Sequence, residues 1–234
     1  MTAVRRLRML RRRLYGLRSY IPGMRHRHRL EALVGPLGCW NELQNYQFRV
    51  LTELGMQPHD TLLDIGCGPL QGGVAFIRYL APSSYYGVDH KPAALRAGCD
   101  ELTRQRLWRK RPRLLYSCSF GDDELGDMQF DFIWLSQILY YFPEPVLHNL
   151  FEMAARRLRP GGTLAGDILG PNSDRSFLRD RDPIPPDHTP ESIDKLARVH
   201  GFRATTLGHL HGFGYPRRLN LSHNLLLKVT RDPG

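Results

Sequence analysis

The residues best able to do chemistry stand in one run, Leu62-Leu63-Asp64-Ile65-Gly66-Cys67-Gly68-Pro69-Leu70-Gln71-Gly72-Gly73. Leu62, Leu63 and Ile65 predict a buried strand. Gly66 and Gly68 let the backbone turn tightly and leave bare peptide groups for a ligand to lie against. The helix expected next, over residues 72–80, aims its free N–H groups at the same spot, which suits a ligand carboxylate or phosphate. A nucleotide-like cofactor fits this pattern. A dinucleotide dehydrogenase wants Gly-x-Gly-x-x-Gly, but here the third glycine, Gly72, falls one residue late. An acid, Asp64, also stands inside the strand, two residues before Gly66.

The elements that must position this turn follow from periodicity and punctuation. Residues 41–54 read as an amphipathic helix capped by Asn41, and Gly55 leads into the first strand. A second strand is expected at 85–89, a helix at 92–107, a third strand at 113–119 and a loop at 121–127. A fourth strand follows at 130–136, a helix at 143–158, a tight turn at 159–162 and a fifth strand at 163–168. Residues 170–189, rich in Pro, Asp and Arg, read as a long irregular insertion. Thr189-Pro190-Glu191 then starts a last helix with cap and Pro in place, and strands at 202–207 and 222–230 pair as the final two. Alternating strands and helices imply an α/β fold, a mostly parallel sheet covered on both faces.

The net charge of +10 is confined to one end. Ten of the 33 basic residues are arginines within residues 1–30, which hold no acid, leaving 23 basic against 23 acidic residues in the rest. The chain thus divides into a basic amphipathic extension, 1–30, and a domain, 31–234. A catalytic body without excess positive charge is a weak match for gripping a nucleic-acid backbone. Within the extension Val4, Leu7, Leu10, Leu14 and Leu17 predict a helix over 3–18 with a leucine stripe among arginines. It could pack on the domain, dock on an anionic membrane surface, touch RNA or serve as an organelle targeting peptide. His26 and His28 form a His-x-His pair, but the flanking arginines repel a cation, so no metal site is expected. No apolar run approaches the roughly 18 residues of a membrane span. Cys39, Cys67, Cys99 and Cys118 are scattered without a Cys-x-x-Cys pair, which fits a reducing compartment. A cytoplasmic protein, peripheral at a membrane surface or else organelle-targeted, is the expectation.

Asp64-x-Gly66-x-Gly68 resembles the first motif of class I S-adenosylmethionine-dependent methyltransferases. Tyr86-Gly87-Val88-Asp89 is similar to their second-strand motif, and 130–136 and 158–164 to their fourth strand and the turn into the fifth. Residues 189–202 are similar to the helix before the sixth strand. The ordered set spans about residues 42–230. The resemblance implies a Rossmann-like, doubly wound, seven-stranded sheet with an antiparallel last strand, and S-adenosyl-L-methionine as cofactor. It places Gly66, Cys67 and Gly68 against the amino-acid end of the cofactor, with Asp64 orienting the loop. Asp89 then takes the ribose hydroxyls, and His90 lies near the adenine. The third-strand motif is the poor match: Ser119 and Phe120 fall at its position and Asp122 two residues later. Ser136 and Gln137 face the methyl group and the acceptor.

Methyl transfer from a sulfonium is an in-line displacement with a neutral leaving group, so alignment in a dry site suffices, and a base is needed only if the acceptor must lose a proton. Of the candidates His148, His188, His209, His211 and Tyr215, the loop residues His209, His211 and Tyr215 are favoured. The signatures of nucleobase amino-group and pyrimidine carbon methylation are missing, which leaves a small-molecule acceptor methylated on O, N or C. Its pocket is expected between 40–46, the insertion and 207–220, lined by Trp40, Tyr140, Tyr141, Phe142, Phe213 and Tyr215. Two other readings stay open: an RNA or protein methyltransferase that uses the arginine tail, and a non-catalytic cofactor-binding partner. Acceptor and oligomeric state are not legible.

Overall fold

A computed structural model describes residues 24–175 and 187–232. The helix expected over 3–18 and residues 176–186 of the insertion lie outside the described residues. Seven strands, β1 Leu62–Ile65, β2 Tyr85–Asp89, β3 Arg113–Tyr116, β4 Phe130–Leu135, β5 Leu158–Ile168, β6 Phe202–His209 and β7 Leu225–Arg231, form one sheet ordered β3-β2-β1-β4-β5-β7-β6. Six strands point the same way and β7 is reversed, pairing antiparallel with both β5 and β6. The doubly wound sheet with an antiparallel last strand is as the sequence implied. The helices are α1 Met24–Val34, α2 Trp40–Glu53, α3 Gly73–Tyr79, α4 Pro92–Arg104, α5 Glu144–Arg157 and α6 Pro190–Val199.

Strand alternation sorts the core onto two faces. Leu62, Phe132 and Trp134 join Leu43, Tyr46 and Val50 of α2 and Val74, Phe76 and Ile77 of α3. Leu63, Ile65, Ile133 and Leu135 join Leu147, Leu150 and Phe151 of α5 and Ile193 and Leu196 of α6 on the other. Because both faces are covered, β1 and β2 are buried at every residue. A one-residue slip would exchange the two sets, so the register is tightly specified.

Several boundaries differ from the sequence expectation for local reasons. Helix α2 is entered from Cys39, and no side chain caps it; Asn41 lies inside its first turn. Helix α4 stops at Arg104 because Arg106 adopts a left-handed conformation, and a 3₁₀ turn, Leu107–Lys110, follows. Residues 159–162 belong to β5, whose register against β4 shifts between Phe130 and Phe132. Helix α1 runs across residue 30. Its His26 Nε2 lies 2.5 Å from the buried Glu101 of α4, and the Arg27 guanidinium sits 4.8 Å over the Trp40 ring. At α6 the expected cap is present: Thr189 Oγ1 accepts from the Ser192 N–H, and the Ser192 hydroxyl accepts from the Thr189 N–H. Thr189→Ala is expected to cost about 1 kcal/mol, read as a fall in Tm in thermal unfolding.

Candidate functional site

The site forms where the parallel strands end at their carboxyl edges. Gly66 and Gly68 have φ of 73° and 54°, which a glycine adopts without strain. The N–H groups of Gly66 and Cys67 both donate to the Val88 carbonyl, at 2.8 and 3.1 Å, and pin the turn against β2. A Cβ at Gly66 would stand 2.8 Å from Ile138 Cδ1, and one at Gly68 3.0 Å from Val34 Cγ1, so the turn is enclosed by the chain after β4 and by the end of α1. Asp89, at the end of β2 and 7% exposed, accepts from the Gly68 N–H at 2.9 Å and from the Lys91 N–H at 2.8 Å. A carboxylate has about four lone-pair positions; two are used here, so the acid can hold the loop and still accept two more hydrogen bonds.

Asp64 lies beneath the turn, 3% exposed, and accepts from the Tyr85 hydroxyl at 2.7 Å. Burial pushes its carboxyl up to about 7, the Asp89 charge adding to this and the Tyr85 hydrogen bond opposing it. Unfolded aspartate titrates near 3.9. Asp64 therefore favours the folded state fully below about pH 4, and that stability is lost as pH rises through about 7. Asp64→Asn cannot ionise and is expected to flatten the decline of Tm between about pH 5 and about pH 7; an unchanged slope in a pH series of melts would contradict this.

At the end of β4, Gln137 has φ 59°, and its N–H donates to Asp167 Oδ1 at 2.6 Å. Asp167, fully buried on β5, also accepts from Asn224 Nδ2 at 2.7 Å, and Asn224 Oδ1 accepts from the Ser173 hydroxyl at 2.7 Å. Burial raises the Asp167 carboxyl to about 6 against those hydrogen bonds. The phenols of Tyr46, Tyr140 and Tyr215 are all pushed up, first by burial and then by the Asp167 charge. Tyr46 and Tyr215 meet edge to face at 5.1 Å, and the Tyr46 hydroxyl is buried without a hydrogen-bond partner among the described residues. One carboxylate and three phenols thus form a buried polar floor at Gln137.

The family described as "Methyltransferase domain" matches residues 63–164, a span that holds the glycine turn, Asp89 and Gln137. Over these residues the chain is similar to a methyltransferase domain. No curated protein matches the chain. Among solved structures, an S-adenosylmethionine-dependent methyltransferase from Clostridium acetobutylicum aligns with a TM-score of 0.65 at 14% identity, covering 88% of this chain and 97% of that one. Magnesium protoporphyrin IX methyltransferase from Synechocystis aligns at 0.61 and 16%, covering 92% and 94%. The CcbJ methyltransferase from Streptomyces caelestis aligns at 0.62 and 14%, covering 84% and 97%. At such identities these likenesses carry the fold, which is that of class I methyltransferases.

The candidate residues fall into groups. Asp64, Gly66, Cys67, Gly68 and Asp89 come together at the turn, with Cys67 buried and its thiol pushed well up by burial. The His90 ring projects into solvent, 3.7 Å from Asp89. Ser119, Phe120 and Asp122 line a cleft of about 270 Å³ against α5. The Asp122 carboxylate is held there by Arg156 and Arg157; burial opposes its ionisation, but these hydrogen bonds outweigh it and keep the group below the usual range. Ser136, Gln137 and Tyr215 gather at the polar floor. His209 ends β6, and His211 lies in the 3₁₀ turn Leu210–Phe213 that leads on to Tyr215, whose N–H donates to the Leu210 carbonyl at 3.1 Å. Their Nδ1 atoms bond the carbonyls of His223 and Ser222 at 3.0 and 2.9 Å, and the two rings stack at 5.4 Å. Sequence reasoning missed Asp167 and Asn224, and had Tyr46 only as the end of the segment 40–46 expected to close the pocket. A lone acid in the apolar run 163–169 was the available signal, the same kind that Asp64 gives in β1.

Proposed function

We propose that this protein transfers a methyl group from S-adenosyl-L-methionine to a small-molecule acceptor. The observation that carries the reading is Asp89, tied to the glycine turn by two backbone N–H groups with lone pairs to spare, inside a methyltransferase domain. Asp89 accepts the two ribose hydroxyls, the peptide groups around Gly66 to Gly68 hold the amino-acid end, and His90 and the cleft of Ser119, Phe120 and Asp122 flank the adenine. The bound cofactor supplies an electrophilic methyl on a sulfonium whose departure as a neutral thioether needs no acid. The chain's own work is alignment and exclusion of water. Gln137, held in its left-handed conformation by Asp167, and Ser136 orient the acceptor. Tyr215 and Tyr46 present buried hydroxyls to its polar group, and Tyr215, hydrogen-bonded to Gln137, acts on a proton there, with His209 and His211 as the other candidates.

A cluster of buried phenols favours a compact acceptor over a polymer, and one of the aligned structures is named for a small-molecule acceptor, magnesium protoporphyrin IX. Residues 1–30 serve as an accessory extension to the catalytic unit 31–234. The four free cysteines suit a reducing cytoplasm. The test is a methyl-label screen of metabolite, lipid and RNA pools with Asp89→Ala as control. Label in a small molecule, lost in the variant, supports the proposal; label only in RNA or protein, or cofactor binding without turnover on any pool, overturns it.

A further inference from the structure

The domain after residue 30 balances its charges, yet residues 104–113 hold Arg104, Arg106, Arg109, Lys110, Arg111 and Arg113 and no acid. They surround the 3₁₀ turn Leu107–Lys110, flanked by Arg106 and Arg111 at φ of 55° and 52°. The turn is built to project. Leu107 is buried beneath it, Lys110 Nζ donates to the Leu80 carbonyl at 2.6 Å, and the Ser83 N–H donates to the Lys110 carbonyl at 2.7 Å. Arg106, Trp108, Arg109 and Arg111 are exposed. Among the described residues none of Arg106, Arg109 and Arg111 has an acidic side chain within ion-pair distance. The Trp108 indole N–H is already bonded to Thr103 Oγ1 at 2.9 Å, while 45% of the residue stays exposed.

The position of this turn is fixed by register. Arg113 pairs with Tyr86 near the start of β2, and Tyr116 with Asp89 at its end, so the turn lies at the amino edge of the sheet, opposite the catalytic edge. Helix α1 runs antiparallel to α4, with Val34 against Gly68 and His26 against Glu101 near the end of α4. Its Met24 end therefore points to the same amino edge. In the sequence, the arginines and leucines of residues 3–18 precede this end.

We propose that the Leu107–Lys110 turn with its flanking arginines is a docking surface for an anionic lipid bilayer, and that it holds the enzyme with its catalytic edge facing water. The charges match phosphate headgroups, and Trp108, its N–H satisfied internally, offers its ring to the headgroup layer without leaving a donor unpaired. A nucleic-acid strand needs a basic groove with stacking faces along it; these residues form one short exposed turn with a single aromatic in it. The leucine stripe in the adjoining sequence also has an apolar use at a bilayer and none on a phosphodiester backbone.

The test is flotation of the full chain with vesicles of phosphatidylcholine alone or mixed with a third of phosphatidylglycerol. A triple variant, Arg106→Asn, Arg109→Gln and Arg111→Asn, keeps residues that tolerate the left-handed conformation at 106 and 111. Wild type is expected to bind the anionic vesicles in a salt-sensitive way and the neutral ones weakly. The triple variant should lose about a hundredfold in partitioning, at roughly 1 kcal/mol per arginine, and Trp108→Ala should weaken it further on the wild-type background. An unchanged affinity for S-adenosylhomocysteine in the variant shows that it is folded, and an unchanged affinity on saturating vesicles supports the outward-facing site. Equal binding to both vesicle types, a triple variant that partitions like wild type, or loss of single-stranded RNA binding with vesicle binding intact would overturn the proposal. Methyl transfer to a small molecule stands or falls separately, because none of these readouts depends on the acceptor.

Discussion

Asp89→Ala is expected to weaken S-adenosyl-L-methionine binding by two to three orders of magnitude. The carboxylate is 7% exposed and already fixed by the Gly68 and Lys91 N–H groups, so it offers its remaining lone pairs to a diol with little further ordering. Hydrogen bonds to a charged group contribute about 1.5–3 kcal/mol each, and two of them account for a loss of that size at 1.4 kcal/mol per tenfold. The truncation also frees the Gly68 turn, which adds to the loss. Asp89→Asn keeps one acceptor oxygen but turns an amide donor toward one of the two N–H groups, and should fall between the two. Titration calorimetry reads the affinities, and circular dichroism checks that the strands remain paired.

Asp167→Ala is expected to be the most destabilising change near the site. It leaves the Gln137 N–H and Asn224 Nδ2 without their acceptor in a place closed to water. Each orphaned buried donor costs about 1–3 kcal/mol, so the loss should be roughly 3–5 kcal/mol. In a chain of this size that lowers Tm by about 10 °C. Because Gln137 needs this bond to keep its left-handed backbone, methyl transfer should fall further than cofactor affinity. Asp167→Asn, of the same shape, should recover most of the Tm but less of the turnover. A variant that melts and turns over like wild type would remove Asp167 from the site.

The contrast between Asp89 and Asp167 shows what the sequence made legible. Asp64, Gly66, Gly68 and Asp89 act through backbone geometry in two short stretches, so residue type and local spacing expose them. The strands were legible because burial on both faces demands apolar runs, as in Leu62-Leu63-Asp64-Ile65. Asp167 depends on partners 30 and 57 residues away, brought together by a strand order in which β7 returns beside β5. No local pattern encodes that. The region after β3 was obscure for another reason. The strand ends at Tyr116, the chain turns through Phe120 and Gly121 at φ of 61° and 82°, and Asp122 is engaged by arginines of α5. Its charge partners lie 34 and 35 residues on.

Titration of the purified chain with S-adenosyl-L-methionine and, separately, with NAD tests the cofactor assignment most directly. Saturable binding of S-adenosyl-L-methionine, with NAD far weaker and the signal lost in Asp89→Ala, is the expected result. Tighter binding of NAD, or S-adenosyl-L-methionine binding indifferent to Asp89, would contradict it.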